Sequence, residues 1–245
     1  NCVDAIFLSY ATNLVLPRVG EVSRCGVLAK YDKVSFGKSL GTVVTERLID
    51  TLCIGVIAGA TLLLQMPIFT TFFRETGTKI PSVDHLLHTP WFYVSLLCVC
   101  GFVWIIYRLL RMLSFFEKVK GFALNIWQGI ISLKSVRNIP LFVAYTLAIW
   151  ACYYLHFYLT FFCFPFSEHL SWLAGLVMFV AGTVAVIVPT PNGAGPWHFA
   201  VITMMMLYGV SPTDAAIFTL IVHGIQTLLV IVLGLWGWIH LQVVK

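Results

Sequence analysis

Long uncharged apolar segments alternate with short polar segments along this chain. A helix that spans a bilayer needs about 20 mostly apolar residues, and several of the apolar segments approach or exceed that length. The strict alternation of apolar and polar residues that is typical of strands is absent from them. The pattern therefore predicts an all-α, polytopic membrane protein, with spans at residues 48–69, 91–107, 139–166, 170–188 and 215–244.

Composition supports this interpretation. The chain is 60% hydrophobic and 10% charged, with a mean hydropathy of +0.93, whereas a soluble domain carries about 25% charged residues. Its surface could not be covered by polar groups in water. The formal charge of +5 comes from bases that fall in two blocks, as in loops on one side of a membrane. We therefore expect no nucleic-acid partner.

The start of the chain differs from a complete membrane protein. It begins at Asn1 without methionine, and the apolar run from Ala5 to Leu16 is shorter than a span. No basic start or cleavage pattern marks a signal peptide. We expect a single transmembrane domain, residues 1–245, whose N-terminus is truncated.

Two stretches rich in proline and glycine interrupt the apolar sequence. Irregular backbone at membrane depth persists only where protein or water satisfies its polar groups. A pair of such interruptions indicates broken helices that form a binding site, although a plain surface loop is the alternative for the second stretch. The first stretch contains Asn13, Pro17 and Gly20, and the second contains Pro189, Pro191, Asn192, Gly193, Gly195 and His198.

Six charged residues lie beside membrane-like sequence. Charges in this position are costly, and they are usually paired or functional. One interpretation is a neutral salt-bridge network that holds the fold, and we expect Arg47 to pair with its neighbour Glu46. The other is an anion site, since the guanidinium fork matches phosphate oxygens. Residue chemistry alone leaves the two open for Arg18, Arg24 and Arg47 with Glu21, Glu46 and Asp50.

The Lys and Arg distribution predicts the orientation of the spans. Residues 17–47 and 108–137 each hold six of these bases, residues 67–90 hold two and residues 164–171 hold none. Cytoplasmic loops are enriched in Lys and Arg, so the first two segments are predicted to be cytoplasmic loops. Within residues 108–137, polar positions recur at helical spacing, which predicts a basic amphipathic helix on the membrane surface.

No pattern of catalytic or metal-ligating residues is present. The cysteines lack a CxxC spacing, and the histidines are scattered. His156 and His223 fall in predicted spans, where a histidine is more often hydrogen-bonded within a bundle than bound to metal. The sequence predicts no catalytic residue, no metal and no cofactor.

The two interrupted stretches and the charged residues carry a family resemblance. The chain resembles the membrane region of bacterial lysylphosphatidylglycerol synthases and the related stand-alone flippase-like proteins. The family pattern Asn…Pro-x-Arg-x-Gly-Glu-x-x-Arg matches Asn13, Pro17, Arg18, Gly20, Glu21 and Arg24, and Glu-Arg-x-x-Asp matches Glu46, Arg47 and Asp50. The late pattern Pro-x-Pro-Gly-Gly-x-Gly-x-x-Glu matches Pro189, Pro191, Gly193 and Gly195, with Asn192 in place of the first glycine and His198 in place of the glutamate.

The resemblance implies a multi-pass protein of the cell (cytoplasmic or inner) membrane that translocates lipids between leaflets. The ligand would be an anionic phospholipid or a lipid-linked intermediate, whose phosphate Arg18, Arg24 and Arg47 would bind. Glu21, Glu46 and Asp50 would pair with these arginines. The soluble aminoacyl-transferase domain of the synthases is absent from this chain, so we do not expect aminoacyl transfer from it alone. The alternatives are a membrane-embedded lipid-modifying transferase and a non-transporting scaffold, and the partners would be a second copy or a separate synthase.

Overall fold

A computed structural model describes residues 1–76 and 138–243, together with positions 93, 97, 104, 121, 124, 127, 128, 131 and 136. Within these residues the chain is helical and contains no strand. The predicted span 91–107 and the predicted amphipathic helix 108–137 lie outside the described residues, apart from those isolated positions. The helices are α1 (Cys2–Val15), α2 (Gly20–Tyr31), α3 (Phe36–Leu64), α4 (Met66–Thr76), α5 (Ile139–Leu159), α6 (Trp172–Ala185), α7 (Pro196–Leu207) and α8 (Pro212–Val243), with 3-10 turns at Thr160–Cys163 and Pro191–Gly193.

Three of these helices are long and apolar enough to cross a membrane. They are α3 with 29 residues, α5 with its 3-10 extension, 25 residues in all, and α8 with 32 residues. The last two agree with the predicted spans 139–166 and 215–244. The chain is thus an integral membrane protein built from α-helices.

Two sequence predictions of helix limits are wrong. The predicted span 48–69 starts too late, because α3 begins at Phe36 and carries its charged residues within the helix. Residues 17–47 are also not a loop. Residues 20–31 form α2 and residues 36–47 form the start of α3, while residues 17–19 and 32–35 are short connections. A run of polar and charged residues predicts a loop, but paired charges are compatible with a helix.

The predicted span 170–188 is wrong as a complete crossing. α6 has 14 residues, about 21 Å of helix, while the hydrocarbon core is about 30 Å thick. The helix starts at the Ser171 cap, whose hydroxyl accepts a hydrogen bond from the Ala174 amide at 3.2 Å. It ends at Ala185, shortly before Pro189 and Pro191, because residues that precede proline disfavour the helical conformation.

α1 and α2 form a helical hairpin, which we call the first hairpin (residues 2–31). The helix breaks between Val15 and Gly20, as Pro17 and Gly20 predict. The Gly20 amide donates to the Asn13 side-chain oxygen at 2.7 Å. A Cβ atom at Gly20 would overlap the Ser9 carbonyl oxygen, so the two helices meet at a contact that only glycine permits.

α6 and α7 form the second hairpin (residues 172–207). Its helices also pack closely, since a Cβ atom at Gly182 would lie 2.8 Å from the Trp197 ring nitrogen. Around them is the main apolar core, which includes Phe157, Phe161 and Phe218 from α5, its 3-10 extension and α8.

The two hairpins start from opposite ends of the bundle. At one end, Asn1 hydrogen-bonds Asp32, and Asp4 in α1 contacts His240 near the end of α8 at 3.0 Å. At the other end, Tyr208 donates to Gln65 at the end of α3, at 3.2 Å. Their tips therefore meet between the ends of the long helices α3 and α8.

Candidate functional site

An ion-pair network joins α2 to α3. Arg24 pairs with Glu46 at 2.5 Å. Arg47 pairs with Glu21 through Nε at 3.3 Å and with Asp50 through Nη2 at 2.8 Å. The expected pairing of Arg47 with Glu46 is therefore wrong. Adjacent residues on a helix point to different sides of it, so Glu46 and Arg47 select different partners on α2.

The network lies near the middle of α3. Asp50 is the midpoint of this 29-residue helix, and Glu46 is ten residues, or about 15 Å, from its start. Within a membrane helix, a charge is stable only when it is paired or reached by water. The Arg24 side chain is 20% exposed, whereas that of Arg47 is 54% exposed. Arg47 thus combines two carboxylate partners with an open face.

Arg18 stands apart from this network at the tip of the first hairpin. Its φ of 66° places the backbone in the left-handed region, which is uncommon for residues other than glycine. Its Nη2 donates to the Ile187 carbonyl oxygen at 3.0 Å and lies 3.5 Å from that of Val186. These carbonyls follow the last turn of α6, where the helix dipole is negative. Arg18 thus joins the tip of the first hairpin to the tip of the second.

The tip of the second hairpin is held by α8. Asn192 has φ 52° and ψ 22°, a left-handed conformation that Asn tolerates better than most side chains. Asn192 can therefore replace a glycine here. Its side-chain amide donates to Thr227 Oγ1 at 2.8 Å, and its carbonyl oxygen lies 3.0 Å from His223 Nε2.

A cleft of about 610 Å³ opens beside this second tip, between the tip and α8. Asn192, His198, His223 and Thr227 give it a polar wall. The rings of His198 and His223 are in edge contact, with centroids 4.5 Å apart. Among the described residues no group of three potential ligands could hold a metal ion.

The sequence analysis does not include Thr227 in the site, and it predicts a hydrogen bond for His223 within the bundle without identifying Asn192 as the partner. Both face the cleft because they are one helical turn apart on α8. A polar pair at that spacing within apolar sequence is a signal that could have identified this face. Thr227 is also next to the midpoint of the 32-residue helix, the depth at which broken helices need hydrogen-bond partners.

The predicted site residues thus separate into two groups. Glu21, Arg24, Glu46, Arg47 and Asp50 form the α2–α3 network. The tips hold the others, and Pro191–Gly193 packs against α1. The remaining tip residues are Asn13, Pro17, Arg18, Gly20, Pro189, Gly195 and His198.

Comparison with known proteins identifies a family. The family model described as the lysylphosphatidylglycerol synthase TM region matches residues 1–234. A search of curated proteins and a search of solved structures each found no match. Because the matched region covers nearly the whole chain, the protein belongs to the family of the lysylphosphatidylglycerol synthase transmembrane region.

Proposed function

We propose that this protein binds an anionic phospholipid, or a lipid-linked intermediate, and translocates it between leaflets, with Arg18 as the leading phosphate ligand. The observation that carries the proposal is the position of Arg18. An exposed arginine lies where two half-length hairpins meet, and it contacts carbonyl groups instead of a carboxylate. Broken helices that meet near the midplane form substrate sites in many transporters.

The charge balance favours Arg18 over the other two arginines. The α2–α3 network holds two arginines and three carboxylates, so it already has an excess of one negative charge. Arg18 makes no ion pair within the described part of the chain, and its positive charge is available to a phosphate. A guanidinium can also bind two phosphate oxygens at once.

Arg24 and Arg47 have supporting roles in this proposal. Arg24 is held by Glu46, and its fifth of exposed surface leaves little room for a ligand. Arg47 is more than half exposed, so it can add a contact to the phosphate while Glu21 and Asp50 keep it in place. When the lipid leaves, these two carboxylates would still balance the charge of Arg47.

The proposed orientation follows from the bases at the open end of the first hairpin. Lys30, Lys33 and Lys38 lie at or near the α2–α3 connection, which by the positive-inside rule faces the cytoplasm. The same rule assigns residues 108–137 to that side. Both assignments fit a protein of the cytoplasmic membrane.

Single-cysteine labelling tests this orientation. In a background without native cysteines, Lys33→Cys and Glu168→Cys each introduce a thiol at an exposed position. An impermeant reagent applied to intact cells should label position 168 and leave position 33 unlabelled. The reverse pattern would contradict the proposed orientation.

Lipid exchange in liposomes tests the function. Arg18→Lys keeps the charge and loses the planar fork, and Arg74→Lys, on α4, is the matched control. We expect Arg18→Lys to slow leaflet exchange of a labelled anionic phospholipid by about tenfold, equivalent to the loss of a charged hydrogen bond of about 1.4 kcal/mol. The melting temperature should stay within a few degrees, and Arg74→Lys should match the wild type.

A zwitterionic phospholipid serves as the control substrate. Wild-type protein that moves neither lipid would overturn the proposal. Arg18→Lys that loses activity only in proportion to its loss of stability would show that Arg18 acts structurally.

A further inference from the structure

We propose that His223 is a proton-binding site, and that a proton on His223 is coupled to the anionic lipid at Arg18. The inference rests on the proposed function for the identity of the anion, and it adds the proton as a second ligand. The observation that carries it is a pair of histidine rings in contact beside a cleft whose described lining holds no Lys, Arg, Asp or Glu.

Hydrogen bonds at the second tip assign the protons of the two rings. His223 Nε2 lies 3.0 Å from the Asn192 carbonyl oxygen and 3.4 Å from the Asn192 side-chain nitrogen. The carbonyl only accepts, so the shorter contact requires a proton on Nε2 and leaves His223 Nδ1 as an acceptor. His198 Nδ1 accepts from the Gly195 amide at 3.4 Å, so the ring proton of His198 is on Nε2.

An additional proton therefore binds His223 rather than His198. Within the described part of the chain, His223 Nδ1 has no hydrogen-bond partner, whereas a proton on His198 Nδ1 would displace the Gly195 amide. The charge also strengthens the bond from His223 to the Asn192 carbonyl oxygen, because charged donors form the stronger hydrogen bonds. The tip accepts this proton without rearrangement.

The pair binds one proton in the range where histidine titrates. The ring centroids of His198 and His223 are 4.5 Å apart, and two positive charges at that separation repel each other. Histidine is the side chain whose charge ordinarily changes between about pH 5 and pH 8. One charge therefore appears in the cleft over this range, and it lies on His223.

The groups around the two histidines do not supply a competing charge. Among the described residues that line the cleft no other side chain titrates, and α1 contributes Leu14 there. From α7, the Trp197 ring lies beside that of His223 with centroids 5.4 Å apart. Within α8, the titratable residues nearest in sequence are Asp214 and His240, nine and 17 residues away. The counter-charge for a protonated His223 must come from elsewhere.

The second tip connects His223 to Arg18 over a short path. Arg18 Nη2 lies 3.5 Å from the Val186 carbonyl oxygen. The side chain of Val186 lies against Gly193, where a Cβ atom would come within 2.9 Å of it. Asn192, the preceding residue, carries the carbonyl that His223 contacts. One compact turn of the chain thus separates the protonated ring from the proposed phosphate ligand.

Charge balance explains why lipid and proton should bind together. The charged residues of the first tip and the α2–α3 network sum to zero, with three arginines and three carboxylates: Arg18, Arg24, Arg47, Glu21, Glu46 and Asp50. A bound phosphodiester adds one uncompensated negative charge, and a proton on His223 offsets it. By linkage, the lipid raises the affinity for the proton by the same factor as the proton raises the affinity for the lipid.

Isothermal titration calorimetry of the purified wild type in a nonionic detergent tests the coupling. The probe is phosphatidylglycerol, whose phosphodiester keeps one negative charge between about pH 5.5 and about pH 8, and phosphatidylcholine is the uncharged control. We expect the affinity for phosphatidylglycerol to be at least about fivefold higher at the lower pH. In buffers of different ionisation enthalpy, binding near neutral pH should be accompanied by proton uptake, and phosphatidylcholine should show neither effect.

Variants locate the proton on His223. His223→Gln keeps an N–H donor for the Asn192 carbonyl oxygen and removes the basic nitrogen, so its affinity should be equal at the two pH values. His198→Gln is the matched control, because it makes the same change in the neighbouring ring and keeps an acceptor for the Gly195 amide. Both this variant and His169→Gln, at an exposed position outside the cleft, should retain the pH dependence.

The outcomes separate this inference from the proposed function. Equal wild-type affinities at the two pH values, binding without proton uptake, or a pH dependence that persists in folded His223→Gln would each overturn it. His223→Asn replaces the glutamine variant if that protein does not fold. Binding that is independent of pH, with intact exchange of the anionic lipid, would leave the proposed function standing. Proton-linked binding without exchange would remove the function and keep the site.

Discussion

The pairing of Arg24 with Glu46 should appear as a coupling free energy in a double-mutant cycle. The four proteins are wild type, Arg24→Gln, Glu46→Gln and the double variant. The comparison cycle uses Arg47→Gln with Glu46→Gln, because these residues are adjacent in sequence but have different ion-pair partners. Glutamine removes the charge and nearly keeps the side-chain volume of glutamate.

The magnitude follows from the exposure of the two side chains. Exposed ion pairs contribute about 0.2–1 kcal/mol, and breaking a buried pair costs about 3–5 kcal/mol. The Arg24 side chain is 20% exposed and that of Glu46 is 45% exposed, so their pair is intermediate. We expect a coupling of about 2 kcal/mol for Arg24 with Glu46 and less than about 0.5 kcal/mol for Arg47 with Glu46.

The measurement is reversible unfolding in mixed micelles, with increasing fractions of a denaturing detergent and helix content as the signal. Each single variant leaves one charge of the pair without its partner. The double variant leaves neither, so its loss of stability should be smaller than the sum of the losses in the two single variants. A coupling for Arg47 with Glu46 that equals or exceeds that for Arg24 with Glu46 would refute the pairing. Two couplings near zero would show that the network has no role in stability.

Two further predictions concern the packing and the ends of the helices. Gly20→Ala should destabilise the protein by at least about 2 kcal/mol in the same unfolding assay, because its Cβ meets the Ser9 backbone. The control Gly26→Ala lies in the same helix with open space around it, so it should be neutral or stabilising by up to about 1 kcal/mol. Equal effects of the two substitutions would contradict the close contact at Gly20. Burial raises the pKa of the Tyr208 phenol above its usual value of 10.0. In unfolding experiments at a series of pH values, the wild type should therefore lose stability relative to Tyr208→Phe as the pH rises above about 10. Parallel stability profiles of the two proteins would show that Tyr208 titrates as in the unfolded chain.

The positions of the helix breaks could be predicted from the sequence because they depend on local chemistry. Pro17, Gly20, Pro189 and Pro191 act on their own backbone and on the preceding residue, and both breaks occur where these residues lie. The spans of α5 and α8 were also predictable, since uninterrupted apolar length is sufficient evidence for a crossing.

The identity of the ion pairs could not be predicted from the sequence. The Arg47–Asp50 pair has the local i,i+3 spacing, but the α2 partners of the neighbours Glu46 and Arg47 lie 22 and 26 residues away in sequence. Which partner each selects depends on how α2 and α3 rotate about their axes. The packing of α2 against α3 determines this rotation, and the residues at the charged positions do not themselves indicate how the helices pack.

The predicted limits of the helices are wrong for a related reason. A segment rich in charges predicts a loop, so the sequence places the start of the span at residue 48, after Glu46 and Arg47, with Asp50 near its entry. In the structure, Glu46 and Asp50 each have an arginine partner, and pairing reduces the cost of carrying them within a span. The rule for excluding charges from membrane helices assumes an isolated side chain.

Under the proposed function, the contact of Arg18 with the second tip connects lipid binding to the arrangement of the hairpins. Its bond to the Ile187 carbonyl oxygen satisfies a backbone group just after the end of the half-length helix α6, and such a group needs a partner wherever water is excluded. When a phosphate takes the guanidinium, that carbonyl loses its partner, and the cost is about 1–3 kcal/mol unless water or the ligand replaces it. A lipid phosphate that binds Arg18, as proposed, would therefore weaken the contact between the tips. A protein that served only as a scaffold would be more stable if Arg18 had a carboxylate partner than with a carbonyl contact that a phosphate can replace.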